Sequence, residues 1–160
     1  MKNIIVSGSV ATGKTYLAKK LSKLLNYRYL GIKELLEKNK LVIGYDKKRK
    51  AKIVDDYKFV NAVVKIIKNN KNGLIIDSHL SHLIPSKYID LCIITKCNLK
   101  VLKKRLENKG YDKNKVMENL ETEIMDICLN EAYENKHNVL VIDSTKNINI
   151  NNIIKYIKNK

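Results

Sequence analysis

The chain has no tryptophan, one proline and one phenylalanine, and only six of its 160 residues are glycine. No repeat, linker or low-complexity tail interrupts it, so the whole chain reads as one domain. Cysteine is scarce as well. Cys92, Cys97 and Cys128 are odd in number and fit neither C-x-x-C nor a metal-ligand spacing. A disulfide framework is thereby excluded, and the reading is of reduced, mostly buried thiols in a cytoplasmic protein. No apolar run approaches the ~18 residues of a membrane span. Met1-Lys2-Asn3 leads directly into a strand pattern, which leaves no room for a signal peptide. Acidic residues are half as common as basic ones, 16 against 32, for a net charge of +16. That balance favours polyanion contact, nucleic acid or ribosome included. A coding bias is the alternative, because Lys, Ile and Asn dominate the chain and lysines from such a bias spread over every solvated face.

Hydrophobic residues make up 44% of the chain, enough for a core. The most informative stretch is Gly8-Ser9-Val10-Ala11-Thr12-Gly13-Lys14-Thr15, which fits G-x-x-x-x-G-K-[ST]. Asn3-Ile4-Ile5-Val6-Ser7 precedes it as a strand, and Leu17, Ala18, Leu21, Leu24 and Leu25 follow at helical spacing. Strand, glycine loop and helix together form the context in which the motif binds phosphate. Gly8 and Gly13 let successive N–H groups turn inward, and the new helix adds its positive end. Lys14 would reach the β- and γ-phosphates, and the Thr15 hydroxyl would ligate Mg²⁺. A chance match in a chain this size is on the order of one in a few hundred. The alternative is a glycine turn that merely joins strand to helix. Ala11 carries a Cβ, so it is expected to keep φ negative and stay clear of the phosphates.

In chain order, the pattern predicts a helix over 13–26, a strand at Tyr27-Arg28-Tyr29-Leu30, and a short helix at 32–37. Residues 40–52 read as a polar, irregular loop that holds Gly44-Tyr45-Asp46 and the basic run Lys47-Lys48-Arg49-Lys50. Val60, Val63, Val64 and Ile67 place a helix over 55–69, capped by Asp55 or Asp56. Leu74-Ile75-Ile76-Asp77 and residues 88–95 read as strands buried on both faces. Asn98 caps a helix that stops at Gly110, and one long helix is expected over 113–135 with Val116, Leu120, Ile124, Ile127 and Cys128 on its apolar face. A last strand at 139–143 and an amphipathic helix around Ile150, Ile153, Ile154 and Ile157 complete the chain. Alternating β and α units of this kind define an α/β fold, a parallel five-stranded sheet covered by helices on both faces.

A phosphate loop needs an acid opposite it to hold magnesium. Asp77, at the C-terminal tip of a buried strand, is placed for that role, since ligands of open α/β sheets bind beyond the strand ends. If the chain stays extended, His79 points the same way as Asp77. His82 and His137 read as structural. Arg105 and Lys109 stand at i and i+4 on one helix face and could neutralise a transferring phosphoryl group, or could be solvated surface charges.

With these residues in view, the chain resembles the adenylate kinase isoenzyme 6 family over nearly its whole length. The resemblance rests on residues 8–15, Gly44-Tyr45-Asp46 and Asp77-Ser78-His79. Above all it rests on Arg105-Leu106-Glu107-Asn108-Lys109-Gly110-Tyr111-Asp112, continued through Asn119, Glu123-Ile124 and Glu131-Ala132. It implies a P-loop NTPase core, a nucleoside-monophosphate arm over about 31–54 and a short lid over about 108–118. It implies ATP contacts at Ala11, Gly13, Lys14, Thr15 and Tyr16, a lid contact from Lys109, and Lys146 beside the adenine. Asp77 and His79 would serve both transfer and hydrolysis. The activity implied is reversible phosphoryl transfer from ATP to AMP or another monophosphate with Mg²⁺, plus a side ATPase. The partner implied is the universal small-subunit ribosomal protein eleven, in small-subunit maturation.

Three positions depart from the family pattern. Lys109 replaces an arginine, Val10-Ala11 replaces Pro-Gly, and Glu37 stands where an arginine of the arm is expected. The last shifts the monophosphate contact to Arg28, Lys33, Lys38 or Arg49. The ribosomal protein is itself basic, so its expected dock is the acidic group Glu118, Glu121, Glu123 and Asp126, with the basic run facing ribosomal RNA or solvent. An assembly ATPase with little kinase activity, and a kinase of another small metabolite, are the competing readings. A non-enzymatic RNA-binding module has no use for Lys14, Thr15 and Asp77 together.

Overall fold

A computed structural model describes residues 2–48 and 51–159. Arg49 and Lys50 of the basic run, and with Arg49 one of the expected monophosphate contacts, lie outside the described residues. Five parallel strands form the sheet: β1 (Asn3–Ser7), β2 (Arg28–Gly31), β5 (Leu74–Asp77), β6 (Leu91–Lys96) and β7 (Val139–Asp143), in the order β2-β5-β1-β6-β7. The central strands are apolar on both faces because helices cover both. On one side Ile4, Val6, Ile75, Leu91 and Ile93 pack against α1 (Lys14–Leu25) and α7 (Ile150–Asn159). On the other, Ile5, Ile76, Cys92 and Ile94 pack against α3 (Asp56–Asn69), where Phe59, the chain's sole phenylalanine, is fully buried. The chain runs from β1 to β2 and back to β5 on one side, then crosses β1 to β6 and β7 on the other, so the direction of winding reverses at β1. The crevice beyond its C-terminal end is the switch point where such sheets bind ligands.

Local chemistry sets the helix starts. Asp55, Asn98 and Asp112 each accept a backbone N–H with their side chains, at the heads of α3, α4 (Leu99–Asn108) and α5 (Lys113–Ile124).

Two expectations are corrected. Residues 40–52 are not one irregular loop: β3 (Val42–Asp46) and β4 (Ala51–Val54) pair as an antiparallel hairpin with an irregularity between Val42 and Gly44. The hairpin follows α2 (Ile32–Asn39) and leaves Ile43, Tyr45 and Ile53 exposed. Its strands are only five and four residues long, Gly44 interrupts the first, and the lysines between them read as loop, which hid the pair from a reading based on apolar alternation. The long helix over 113–135 is also two helices, α5 and α6 (Ile127–Glu134). Asp126 breaks it with φ +52°, and the Lys96 ammonium takes up both the Glu123 carbonyl and the Asp126 carboxylate at the corner. Ile124, expected on the buried face, is exposed as a result. A smaller shift moves the expected strand at 88–95 to Leu91–Lys96, after a 3-10 turn at Ser86–Tyr88.

Candidate active site

The loop between β1 and α1 lies at the C-terminal edge of the sheet. Gly8 has φ +133°, and a Cβ there would stand 2.5 Å from the Thr95 carbonyl oxygen, so only glycine fits. Gly13, at φ +88°, turns the chain into α1. Ser9 is the hub. Its carbonyl accepts from the Thr12 N–H at 3.4 Å, the Thr12 hydroxyl at 2.7 Å and the Lys14 ammonium at 2.6 Å. Burial in the cleft lowers the Lys14 pKa to about 8, against the pull of the nearby Asp77 carboxylate.

Ala11 does not keep a negative φ. It adopts φ +65°, the left-handed region, at a cost of roughly 1–2 kcal/mol for an L-residue. The Arg105 guanidinium holds it there, donating to the Ala11 carbonyl at 3.5 Å.

Opposite the loop, Asp77 is nearly fully buried at the end of β5. Its Oδ2 accepts from the Thr15 hydroxyl at 2.6 Å and from the Tyr29 phenol at 2.8 Å. Burial and the Asp77 carboxylate together push the Tyr29 pKa up. Gly31 pairs with Asp77 across β2 and β5, and a Cβ on it would stand 2.8 Å from the Tyr29 oxygen. The glycine therefore leaves the path by which the phenol reaches the acid. Thr15 and Asp77 offer two hard oxygen donors side by side, a pair that suits Mg²⁺ held through one or two protein ligands.

His79 is placed differently from the expectation. The chain turns after Ser78, whose hydroxyl accepts the Leu80 N–H at 3.0 Å, so strand alternation does not align His79 with Asp77. The residue is exposed on the turn, but the protein packed around its ring, together with the Lys14 charge, lowers its pKa. It makes no hydrogen bond among the described residues.

Arg105 is not a solvated charge. It donates to the Ser144 carbonyl at 2.7 Å, and Ser144 in turn donates to Thr12 O at 2.6 Å. Arg105 thus braces the wall between two cavities. One is lined by Ala11, Gly13, Tyr16, Arg105, Ser144 and Lys146, the other by Lys14, Thr15, Arg105, Asn108 and Lys109. Of the predicted residues, Ala11, Gly13, Lys14, Thr15, Tyr16, Arg105, Lys109 and Lys146 line these two adjoining cavities, Asp77 joins them through Thr15, Gly8 lies buried at the root of the loop, and His79 lies near enough to feel the Lys14 charge.

Sequence reasoning missed Tyr29 and Ser144 and gave Glu123 no role in the site. Glu123 is 4% exposed, and its Oε2 accepts from the Ser9 hydroxyl at 2.6 Å. The expected acidic dock is accordingly smaller, because Glu123 is buried and Asp126 pairs with Lys96. Only Glu118 and Glu121 of that group are exposed. His82 is buried, as expected of a structural histidine. The Ser7 hydroxyl lies 2.9 Å from its Nδ1, and Glu131 lies 2.5 Å from its Nε2. Arg28 of β2 and Lys38 of the arm both pair with Glu34, at 3.9 and 2.7 Å, while Glu37 is exposed. No group of three or more metal-ligating side chains occurs among the described residues.

A phosphate loop at a β1 switch point, with an acid on the neighbouring strand, defines a P-loop NTPase of the small-kinase type. The same fold is found in deoxyadenosine kinase from M. mycoides with bound dATP. That chain is 16% identical, with a TM-score of 0.61, 99% of this chain covered and all of that one. Shikimate kinase from Bacteroides thetaiotaomicron is 13% identical with a TM-score of 0.60, covering 99% and 97%. At these identities the likeness shows the fold alone. A family model described as an AAA domain matches residues 4–126. The adenylate kinase isoenzyme 6 homolog of Schizosaccharomyces pombe is 36% identical over 89% of this chain and 81% of its own. The Saccharomyces cerevisiae homolog FAP7 is 31% identical over 97% and 80%. The chain belongs to the adenylate kinase isoenzyme 6 family.

Proposed function

We propose that the protein is an ATP-dependent nucleoside-monophosphate kinase of adenylate kinase type. The observation that carries this reading is the Thr15 hydroxyl donating to the Asp77 carboxylate at 2.6 Å, beside the Lys14 ammonium. Metal-ligand donor and acid meet where a phosphate tail would end. Lys14 leaves the Ser9 carbonyl for the β- and γ-phosphates, exchanging one acceptor for stronger charge-assisted ones. The Gly8–Gly13 backbone cradles the tail, and Tyr16, Arg105, Ser144 and Lys146 flank the base. Tyr29 holds the Asp77 carboxylate in place. Mg²⁺ held at Thr15 and Asp77 would neutralise charge on the transferring group. Lys109 swings from the end of α4 onto the phosphates as the lid over 108–118 closes, and closure excludes water. The arm over 31–54 carries the acceptor, with AMP the first candidate. Arg28 and Lys38 are already paired with Glu34, which leaves Lys33 as the described member of the expected acceptor-phosphate cations with no such pair among the described residues. His79, exposed at the cleft edge, orients the acceptor or, in the side ATPase, a water.

Product analysis tests this reading directly. Mg-ATP is supplied alone and then with each monophosphate. ADP formed only when AMP is present supports the kinase. ADP formed at the same rate without an acceptor overturns it in favour of an assembly ATPase. That second reading draws on the exposed Glu37 and the +16 charge. It carries the family's expected role in small-subunit maturation, with a ribosomal protein and ribosomal RNA as partners. Reversing Lys47, Lys48 and Arg49 to Glu should weaken RNA binding, most visibly at low salt, with free-nucleotide kinetics near normal. RNA binding unchanged across a salt series would leave the charge as composition.

A further inference from the structure

Three successive residues at the root of the loop are backed by the α5–α6 corner. The Ser7 hydroxyl reaches Glu131 through His82. The Gly8 N–H faces the Cys128 sulfur. The Ser9 hydroxyl donates to Glu123. The last contact is the most unusual, because it puts a buried carboxylate directly behind a loop built to attract anions. Such a charge is costly unless its oxygens are satisfied. Here they are: besides Ser9, the Cys97 N–H donates to Oε1 at 2.9 Å, and the Lys96 ammonium stands 3.8 Å from it.

A core role for Glu123 would need Cys97 and Lys96 but not Ser9. What Ser9 gains is orientation. Its hydroxyl is held from behind by a charge-assisted bond, so its carbonyl is held toward the cleft. That carbonyl is where Thr12 and Lys14 converge. The loop is thus preorganised before nucleotide arrives, and preorganisation lowers the free-energy cost of binding. The helix that supplies Glu123 also starts inside the lid segment, at Lys113. A lid movement carried by α5 therefore reaches Ser9 through a single side chain.

We propose that Glu123 is a positioning residue of the phosphate loop, which fixes the Ser9 peptide and couples the lid helix to the loop's readiness for phosphate. This rests on the assignment of residues 8–15 as the donor site. The test is a double-mutant cycle on binding, with Glu123→Gln, Ser9→Ala and the pair. Affinity for ADP and for inorganic tripolyphosphate is measured directly, and amide exchange over 108–118 is followed with and without ADP. Each single variant should weaken both ligands by about tenfold, and the pair by no more than either alone, as for residues acting through one contact. Lid amides that ADP protects in the parent should stay unprotected in Glu123→Gln at saturating ADP. Ile153→Ala, a buried change on α7, should lower the melting temperature without moving either affinity. Affinities within twofold of the parent in Glu123→Gln, despite a lower melting temperature, would reduce the residue to a core role. Additive losses in the pair would show that Ser9 and Glu123 act separately. Since tripolyphosphate has no base and accepts no phosphoryl group here, a parent that binds it yet makes no ADP from ATP and AMP would end the kinase reading and leave this one standing.

Discussion

The two sides of the cleft are built on opposite plans. On the donor side Ser7, Ser9, Thr12 and Thr95 are buried polar groups, tied to one another or to α5 and α6. The hairpin assigned to the acceptor shows the reverse, with Ile43, Tyr45 and Ile53 about half exposed and a partner strand only in each other. One side is packed before a ligand arrives; the other, on the function proposed above, closes on its substrate. Residues in a packed polar network have few ways to rearrange, whereas an exposed hairpin has many. Donor binding should therefore depend on single atoms, and acceptor binding on movement.

The sharpest way to break this contrast is Lys14→Met. It removes the one ammonium parked on Ser9, and transfer should fall by at least about 10³-fold, with folding intact. Steady-state ADP formation and a thermal melt check it together. A well-folded variant with parental activity would mean the donor side is not where the phosphoryl group leaves.

Lys109 probes the seam between the two sides. It caps α4 and lines the phosphate cavity. Lys109→Ala should slow transfer by more than about tenfold, while Lys109→Arg should match or exceed the parent, because guanidinium grips phosphate with two donors. Rates for both variants equal to the parent would remove the lid from the mechanism.

The donor side was readable in the sequence because its chemistry is local. Eight consecutive residues specify the loop, and an acid ending an apolar run specifies Asp77. What was not readable depends on pairs far apart in the chain. Tyr29 meets Asp77 only because β2 lies beside β5, and Glu123 meets Ser9 across 114 positions of sequence, only in the folded chain. The bend at Asp126 was hidden because the apolar spacing runs on across it from Leu120 to Cys128. On the other side, the hairpin's short strands, one of them interrupted by Gly44, carry too little alternation to read. Ala11 failed for a different reason. The steric rule is sound, but the bonds around Arg105, Ser144 and Thr12 outweigh it.

A pH titration sharpens the contrast further. His82 and His137 are buried, and burial lowers both pKa values below the ordinary 6.5; hydrogen bonding and charge from Glu131, with a weaker pull from Asp56, oppose this at His82. His137 sits against the His82 carbonyl at 2.9 Å, and its Nδ1 is buried without a hydrogen-bond partner among the described residues. The folded state therefore binds fewer protons than the unfolded one as pH falls below 6.5. Stability should be level above that point and decline below it, down to the lowered values, by up to about 1.4 kcal/mol per pH unit for each histidine. Protonation of His82 Nδ1 also removes the acceptor of the Ser7 hydroxyl, so the loss falls on the donor side. Urea midpoints between pH 7.5 and 5 measure it, and His137→Asn should make the decline shallower by about one proton. A flat profile would show that the pair is not held neutral.

The smallest effect is the most local. Ala11 holds φ +65° in a loop where related chains are expected to carry glycine. Ala11→Gly relieves a left-handed cost of roughly 1–2 kcal/mol but gives the unfolded chain more freedom, worth up to about 1 kcal/mol in the other direction. The net gain in folding stability should be positive and below about 1 kcal/mol, with affinity for ADP within twofold of the parent. The affinity should hold because the Ala11 carbonyl that Arg105 takes is a backbone group and survives the change. The pairing of the two readouts is what discriminates. A stability gain with unchanged affinity places the strain in the loop's fold. A loss of affinity would mean that the methyl group, packed against the cluster of Cys97, Leu102, Leu106, Val116 and Leu120, is what holds the loop open for phosphate. In that case the donor side depends on packing as well as on hydrogen bonds.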